Sequence, residues 1–474
     1  MSKFKKSMVW LRRDLRLYDN AALYHALKDS PSVHCVFVFD SNILGALKNK
    51  IDQRVEFIWE SLFQIKSQLN KFGSDLIVKH GDPKIIIPKL VVEYQSDAIY
   101  MNKDYEAYAN KRDTEIIRKL KIKSFQYKDQ ALYEGNEILT QSGTPYTVFT
   151  PYKNNYLKRV FFEGITQFNC EVLSKNYAKI EPVAMLSLND LGFKKSNLKD
   201  LSIPVGEAGG ELLIKDFKKR IHDYKLKRDF PGTKGVSYLS VHNRFGTVSI
   251  RQLAKIALDQ PSEGASVWLS ELIWRDFYFQ ILFNFPHINE GKAFKPQFNN
   301  LKFENNPEYF LAWKEGRTGY PIIDAAMRQL NKTGFMHNRL RMVAASFLVK
   351  DLLIDWRWGE DYFAEKLIDF DFSANNGGWQ WAASTGCDAQ PWFRIFNPLL
   401  QSKRFDSEGH FIKKYVPELD ALSANEIHEP WEIRKRESIS SKINLGVDYP
   451  IPIVDHSEQR IKALAIYSAR NNVV

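Results

Sequence analysis

The hydrophobic pattern changes period once, near residue 130, and that change restricts the chain to few architectures. Before it, short β-branched or aromatic runs alternate with amphipathic stretches. Runs at 8–11, 33–39 (VHCVFVF), 76–79, 98–101 and 124–127 read as strands. Between them, Asp19 is expected to cap a helix that runs through Lys28. Apolar residues at helical spacing cover 53–72, and Gly73 stops that helix. Strand–helix alternation of this kind builds a doubly wound parallel sheet with helices on both faces. No GxGxxG follows the first strand, so a nicotinamide dehydrogenase loses its main support.

Past residue 130 the strand signal fades. Residues 131–205 carry turn-formers such as Gly143-Thr-Pro145 and read as a long connection packed on the surface. From about 206 the spacing is helical, over 211–227, 249–258, 266–283, 320–333, 340–354, 362–367 and a last segment at 457–471. The expectation is therefore α/β plus all-α, divided as 1–130, a connector at 131–205, and a helical part at 206–474.

Composition removes further classes. No apolar run approaches the ~18 residues of a membrane helix, and Arg12 and Arg13 interrupt the apolar stretch after the basic start, which argues against a signal peptide. The three cysteines, Cys35, Cys170 and Cys387, lie far apart and match neither a disulfide framework nor a zinc site, so a reducing cytoplasm is expected. The formal charge of +11 suits an anionic partner such as nucleic acid, or solubility alone. Aromatic residues are 14% of the chain, with 11 Trp, and many of them sit where the polar chemistry concentrates.

That concentration lies between 268 and 398. Trp268, Glu271 and Arg275 fall near one helix face, with Trp274 one position away. A core helix with one amphipathic edge would look similar, but a carboxylate beside two tryptophans needs a partner. Met336-His-Asn338-Arg339-Leu-Arg341-Met342 offers one arginine inward and one outward. Asp369-Phe-Asp371-Phe-Ser-Ala-Asn375-Asn376-Gly377-Gly378-Trp379-Gln380-Trp381 makes a poor core segment, and its Gly pair admits something flat or phosphate-bearing. The calcium-loop spacing is not met, and no metal is expected. Tyr224 and Ser237-Tyr-Leu-Ser240 precede a helix and suit phosphates. Together these residues suit a planar, hydrogen-bonding, phosphate-bearing ligand, for which flavin fits better than a nucleoside triphosphate.

These motifs carry a resemblance. VWLRRDLRLYDNAAL at 9–23, RDFPGTKGVSYLS at 228–240, ELIWRDFY at 271–278, MHNRLRMVAASFLVKDLLIDWR at 336–357 and NNGGWQWAASTGCDAQPWFRIFNP at 375–398 are similar to the photolyase/cryptochrome family, and the likeness runs over essentially the whole chain. The nearest likeness is to class I members of bacteria that repair cyclobutane pyrimidine dimers. It implies a Rossmann-like N-terminal antenna domain and a helical domain holding one FAD. The flavin ligands it implies are Tyr224, Ser237, Leu239, Ser240, Trp268, Arg275, Asn338, Arg341, Asp369, Asp371 and Asn375. It places Asn375 against flavin N5, where an amide both donates and accepts.

The implied substrate is UV-damaged DNA with the dimer flipped out, met by Glu271, Trp274, Asn338, Met342 and Trp381. Arg228, Arg339 and Arg394 match DNA-backbone positions. In this scheme photoexcited reduced flavin gives an electron to the dimer, Glu271 stabilises the charge, and Trp379 and Trp356 carry electrons during flavin photoreduction. The chain is expected to act as a monomer without membrane contact, and a blue-light receptor of the same fold is the alternative.

Three departures from the family stand out. Val236 replaces a common Thr and removes one phosphate-side hydroxyl. Phe303 replaces the outer tryptophan of the usual electron route, so light-driven flavin reduction is expected to be slowed or to take another exit, with Trp358, Tyr309 or Tyr362 as candidates. The folate-binding Asn-Glu pair is replaced by Tyr108-Ala109. With Phe39, Asp40, Ile43, Leu44, Arg54, Asp104 and Glu106, that stretch looks closer to relatives whose second chromophore is a deazaflavin or FMN than to those using methenyltetrahydrofolate; an empty pocket with Tyr108 packed in it is the other possibility.

Overall fold

The computed structural model describes residues 2–433 and 443–469. The chain divides into two compact units, one of Met1–Tyr146, Thr150–His222 and Ser237–Asn284, the other of Thr147–Phe149, Asp223–Val236 and Phe285–Val474.

The first unit is built on five parallel strands, β1 (Ser7–Leu11), β2 (Val33–Asp40), β3 (Leu76–Gly81), β4 (Ala98–Asn102) and β5 (Lys123–Tyr127), ordered β3-β2-β1-β4-β5. Val9 pairs with Cys35 on one side and Tyr100 on the other. Every residue of β2 is buried, which is why its sequence is apolar from Cys35 to Phe39 and does not alternate. One face of the sheet, with Met8, Trp10, Val36, Ile77 and Ile99, packs against Ile87, Leu90 and Val91 of the Pro83–Glu93 helix and Ile116 of the Ala107–Lys119 helix. Chain order reverses between β1 and β4, the place where such sheets open a ligand crevice.

All five expected strands are present, and the helical expectations need correction at four places. The Ala21–Asp29 helix is capped by Asn20, whose side chain accepts from the Leu23 N–H at 3.1 Å. Asp19 instead adopts a left-handed φ of 40° and accepts from Arg251 at 2.9 Å. The connector contains a 15-residue helix, Phe149–Glu163. The expected helix at 211–227 breaks into Gly206–Lys218, Ile221–Asp223 and Tyr224–Lys227, where the carbonyls of Ile221 and His222 face Gly264. The expected helix at 340–354 is α-helical over Asn338–Ser346 and widens into a π turn over Phe347–Asp351. That turn is held by buried Lys350, whose ammonium donates to Ser384 Oγ and the Trp392 carbonyl, both at 3.2 Å.

The second unit is helical. Its core gathers Trp313, Met327, Leu340, Phe347, Trp356, Phe363 and Trp379 from the helices Pro307–Glu315, Pro321–Thr333, Asn338–Ser346, Trp356–Lys366 and Phe372–Ala382 and from the π turn. The last described helix is His456–Ser468; positions 470 and 471, expected in it, lie outside the described residues.

One glycine sets the distance between two of these helices. A Cβ on Gly359 would lie 2.0 Å from the indole Cη2 of Trp379. Gly359→Ala is therefore expected to push that indole aside and to cost about 1–3 kcal/mol of stability. A urea titration reads this as a lowered midpoint at unchanged slope.

Candidate functional site

In the second unit the Asp-rich motif resolves into two different jobs. Asp369 accepts both bonds of a fork from Arg341 Nη2, at 2.8 and 3.0 Å, while Arg341 Nε donates to the Met336 carbonyl at 2.9 Å. Asp371 caps the Phe372–Ala382 helix, accepting from Ser373 N at 3.1 Å and Ser373 Oγ at 2.6 Å. Along that helix Asn375 Nδ2 donates to the Glu360 carbonyl at 3.1 Å, which leaves the amide oxygen as its accepting end. Trp379 is 2% exposed and its indole N–H has no protein acceptor; Trp381 is half-buried beside Phe396.

The helix before it begins at a histidine cap. His337 Nδ1 accepts from Arg339 N at 3.2 Å, and burial lowers the ring pKa to about 4, so it caps as the neutral imidazole. Asn338 and Met342 then share a face, with Nδ2 4.0 Å from the thioether sulfur. Arg339 leaves that face. It pairs with Asp229 at 3.0 Å and lies 4.4 Å over Phe405. Arg228 lies 5.3 Å over the buried ring of Tyr224, and Arg394 is exposed. Trp356 is fully buried in the core.

In the first unit the helix Glu263–Asn284 carries Trp268, Glu271, Trp274 and Arg275. Trp268 is buried with its ring 4.9 Å from Phe217, and Trp274 is half-buried 5.5 Å from both Phe277 and Tyr278. Arg275 donates to the carbonyls of Gln130 and Asn243 and covers the Phe279 ring at 4.5 Å. Ser237 Oγ accepts from Leu239 N at 3.4 Å, Tyr238 takes a left-handed φ of 59°, and exposed Ser240 opens the short helix Ser240–Phe245.

The polar residues expected around a second chromophore already have protein partners. Asp40, at the end of β2, accepts from Tyr108 Oη at 2.9 Å and Arg112 at 3.2 Å. Asp104 and Glu106, after β4, accept from Arg13 at 3.2 and 3.0 Å, and Arg244 also reaches Glu106 at 2.9 Å. Arg54 pairs with Asp52 at 2.6 Å; Phe39 and Leu44 are buried and Ile43 is exposed. Among the described residues no cluster of His, Cys, Asp or Glu is arranged to hold a metal ion.

Sequence reasoning passed over several groups. Glu360, Asn376 and Gln380 form a buried ladder, Asn376 donating to Glu360 at 2.9 Å and Gln380 to Asn376 at 2.9 Å. Burial lifts the Glu360 carboxyl to about 7. Asp276 is fully buried, accepts from Tyr156 Oη at 2.8 Å, and is pushed up to about 6 by burial. Trp313 is fully buried against Trp379. The one available signal was polarity inside an apolar helix, which Asp276 shows.

The chain matches two family models, the FAD binding domain of DNA photolyase over residues 268–469 and DNA photolyase over residues 7–169. It is similar to the deoxyribodipyrimidine photo-lyase of Escherichia coli strain K12, 38% identical over 473 residues that cover 98% of each chain. Among solved structures it resembles a bacterial class III photolyase from Agrobacterium tumefaciens, with TM-score 0.88, 33% identity and coverage of 100% and 99%. It also resembles an archaeal photolyase from Sulfolobus tokodaii with two FAD molecules, with TM-score 0.79, 34% identity and coverage of 98% and 99%. Likeness at this identity over nearly the full length, with the polar motifs folded into ordered side-chain networks, means that the chain belongs to the DNA photolyase family.

Proposed function

We propose that the protein is a light-dependent DNA repair lyase, a deoxyribodipyrimidine photo-lyase that splits cyclobutane pyrimidine dimers with FAD. The observation that carries this reading is the full-length relation to deoxyribodipyrimidine photo-lyases together with an intact Glu271, Trp274, Asn338 and Met342 set.

The side chains fit a flavin. Arg341 held by Asp369, the Asn375 amide, the hydroxyls of Ser237 and Ser240 and the Arg275 guanidinium supply the mixed donors and acceptors that a planar ring with a pyrophosphate needs. The proposed flavin residues are those of the family motif, Tyr224, Ser237, Leu239, Ser240, Trp268, Arg275, Asn338, Arg341, Asp369, Asp371 and Asn375. When bound, reduced FAD supplies one photoexcited electron to the dimer. The protein's own part is to place and hold charge. Donation by Asn375 Nδ2 to the Glu360 carbonyl leaves the amide oxygen as the end that would accept from an N–H donor such as flavin N5. Trp274 and Trp381 stack on the extruded bases, and Glu271 hydrogen-bonds their edge while negative charge develops there.

Illumination of the reduced, flavin-loaded protein with a dimer-containing oligonucleotide tests this. The expected result is light-dependent return of the dimer to two pyrimidines; no conversion under light would overturn the reading.

The same reading takes residues 1–130 as the antenna domain, with a deazaflavin or FMN as second chromophore, and takes the protein as a cytoplasmic monomer. Free cysteines agree with a reducing compartment, and no helix among the described residues is long and apolar enough to cross a membrane. Arg228, Arg339 and Arg394 are assigned to DNA phosphates. Arg339→Ala is expected to weaken dimer-containing and undamaged DNA alike and to lower the slope of log affinity against log salt by about 1. Binding titrations at several salt concentrations check both.

A further inference from the structure

The second unit contains a continuous path of rings from Trp379 outward that does not use Phe303. Trp379 meets Trp313 edge-on, centroids 6.1 Å apart. Trp313 stacks on Phe310 at 5.9 Å and 15°, and Phe310 meets Trp358 edge-on at 5.2 Å. A side branch runs from Trp313 to Tyr362 at 5.8 Å. Trp313 is fully buried, whereas Trp358 and Tyr362 are partly exposed at the edge of the core. Tyr309 packs at the same edge, but no ring contact joins it to Trp313 or Trp379 among the described residues.

We infer that Trp358 is the surface electron donor of this protein, and that its electron crosses Phe310 to Trp313, which, rather than Trp356, passes it to Trp379. The inference rests on the reading that Trp379 flanks the flavin. In balance, Trp379 would give one electron to a photoexcited oxidised flavin, Trp313 would refill Trp379, and Trp358 would refill Trp313. Trp358 is left short of one electron and is restored by an external thiol.

Proton chemistry favours this exit. An indole loses its electron without first losing a proton, and here the inner rings have no base to take one. Trp379 Nε1 has no protein acceptor, and Trp313 Nε1 donates to the Ala344 carbonyl at 3.1 Å. A vacancy on either ring therefore stays a mobile positive charge. Tyr362 is a poor terminus by the same logic. Oxidising a phenol requires release of its proton, but Tyr362 Oη donates to Asn331 Oδ1 at 2.6 Å and the Lys314 carbonyl at 3.3 Å, neither a base. Burial also pushes the phenol up to about 12. Two ammonium groups, Lys314 and Lys366, lie 5.8 and 5.5 Å from its ring centroid and oppose positive charge there. Phe310 has no accessible oxidation state at such potentials and serves as the bridge.

Flash excitation of the oxidised, flavin-loaded protein, followed by transient absorption and electron paramagnetic resonance of the aromatic radical, tests this. The expected result is a long-lived tryptophan radical whose lifetime falls about tenfold or more in Trp358→Phe and in Trp313→Phe. Tyr362→Phe should leave that lifetime unchanged. Bound-flavin absorbance and circular dichroism establish that each variant is folded and loaded. An unchanged lifetime in Trp358→Phe, or a tyrosyl signal abolished by Tyr362→Phe, would overturn the inference. Trp379→Phe separates the two levels: radical formation that persists without Trp379 refutes its place beside the flavin, while loss there with no effect of Trp358→Phe refutes only the exit.

Discussion

Asp129→Ala is expected to lower the unfolding free energy by about 3–5 kcal/mol, because it takes the carboxylate from buried Arg16 and one of two from buried Arg251. Asp129 is 2% exposed and accepts from Arg16 at 2.7 Å and from Arg251 at 2.7 Å, and both arginines are themselves buried. Arg251 also holds Asp19, so the network fixes the Ile250–Leu258 helix against the loop after β1 within the first unit. Burial alone would raise the Asp129 carboxyl, but the two guanidiniums prevail and hold it below the ordinary carboxylate range. A carboxyl depressed by folding contributes stability that is fully present above its unfolded value of about 3.9 and is lost as pH falls through its lower folded value. Urea unfolding of wild type and variant at pH 7 and at successive acidic pH values checks both statements. The two proteins should converge at the acid end, and a gap that stayed constant down to that limit would rule out the ionised pair as its source.

The second large effect concerns recognition of damage. Trp274→Ala is expected to weaken binding of dimer-containing DNA by about 1–3 kcal/mol, or about 5–150-fold, the range for loss of one base–aromatic stack. Its indole is half-buried and braced by Phe277 and Tyr278, so it presents a ring already oriented and loses little freedom on binding. Affinity for undamaged duplex should hardly change, since phosphate contacts dominate there. Trp274→Phe should recover most of the loss. Equal weakening toward damaged and undamaged DNA would instead point to a general surface effect.

The five strands were legible because each is a short local run rich in apolar or aromatic residues, and burial on both faces keeps β1, β2 and β4 largely apolar. The motif at 369–381 was legible as a site because its composition contradicts its apolar surroundings. The division of labour inside it was not. Asp369 and Asp371 look alike along the chain; one binds Arg341 from 28 positions away and the other caps the helix that starts beside it. Asp19 and Asn20 pose the same ambiguity for the first helix, which Arg251 settles by claiming Asp19. The helix in the connector escaped notice because its aromatic and polar residues give a weak helical pattern, and packing outweighs propensity in such segments.

By itself the sequence determined the alternating α/β and then helical architecture and the family. These depend on short-range period and on residue identity, which the chain carries directly. Only the tertiary structure decided which carboxylate holds Arg341, which end of the Asn375 amide remains to accept, and which tryptophan lies against Trp379. Each of those is a distance between residues far apart in sequence, fixed by how buried helices pack and by which partner a desolvated polar group can reach.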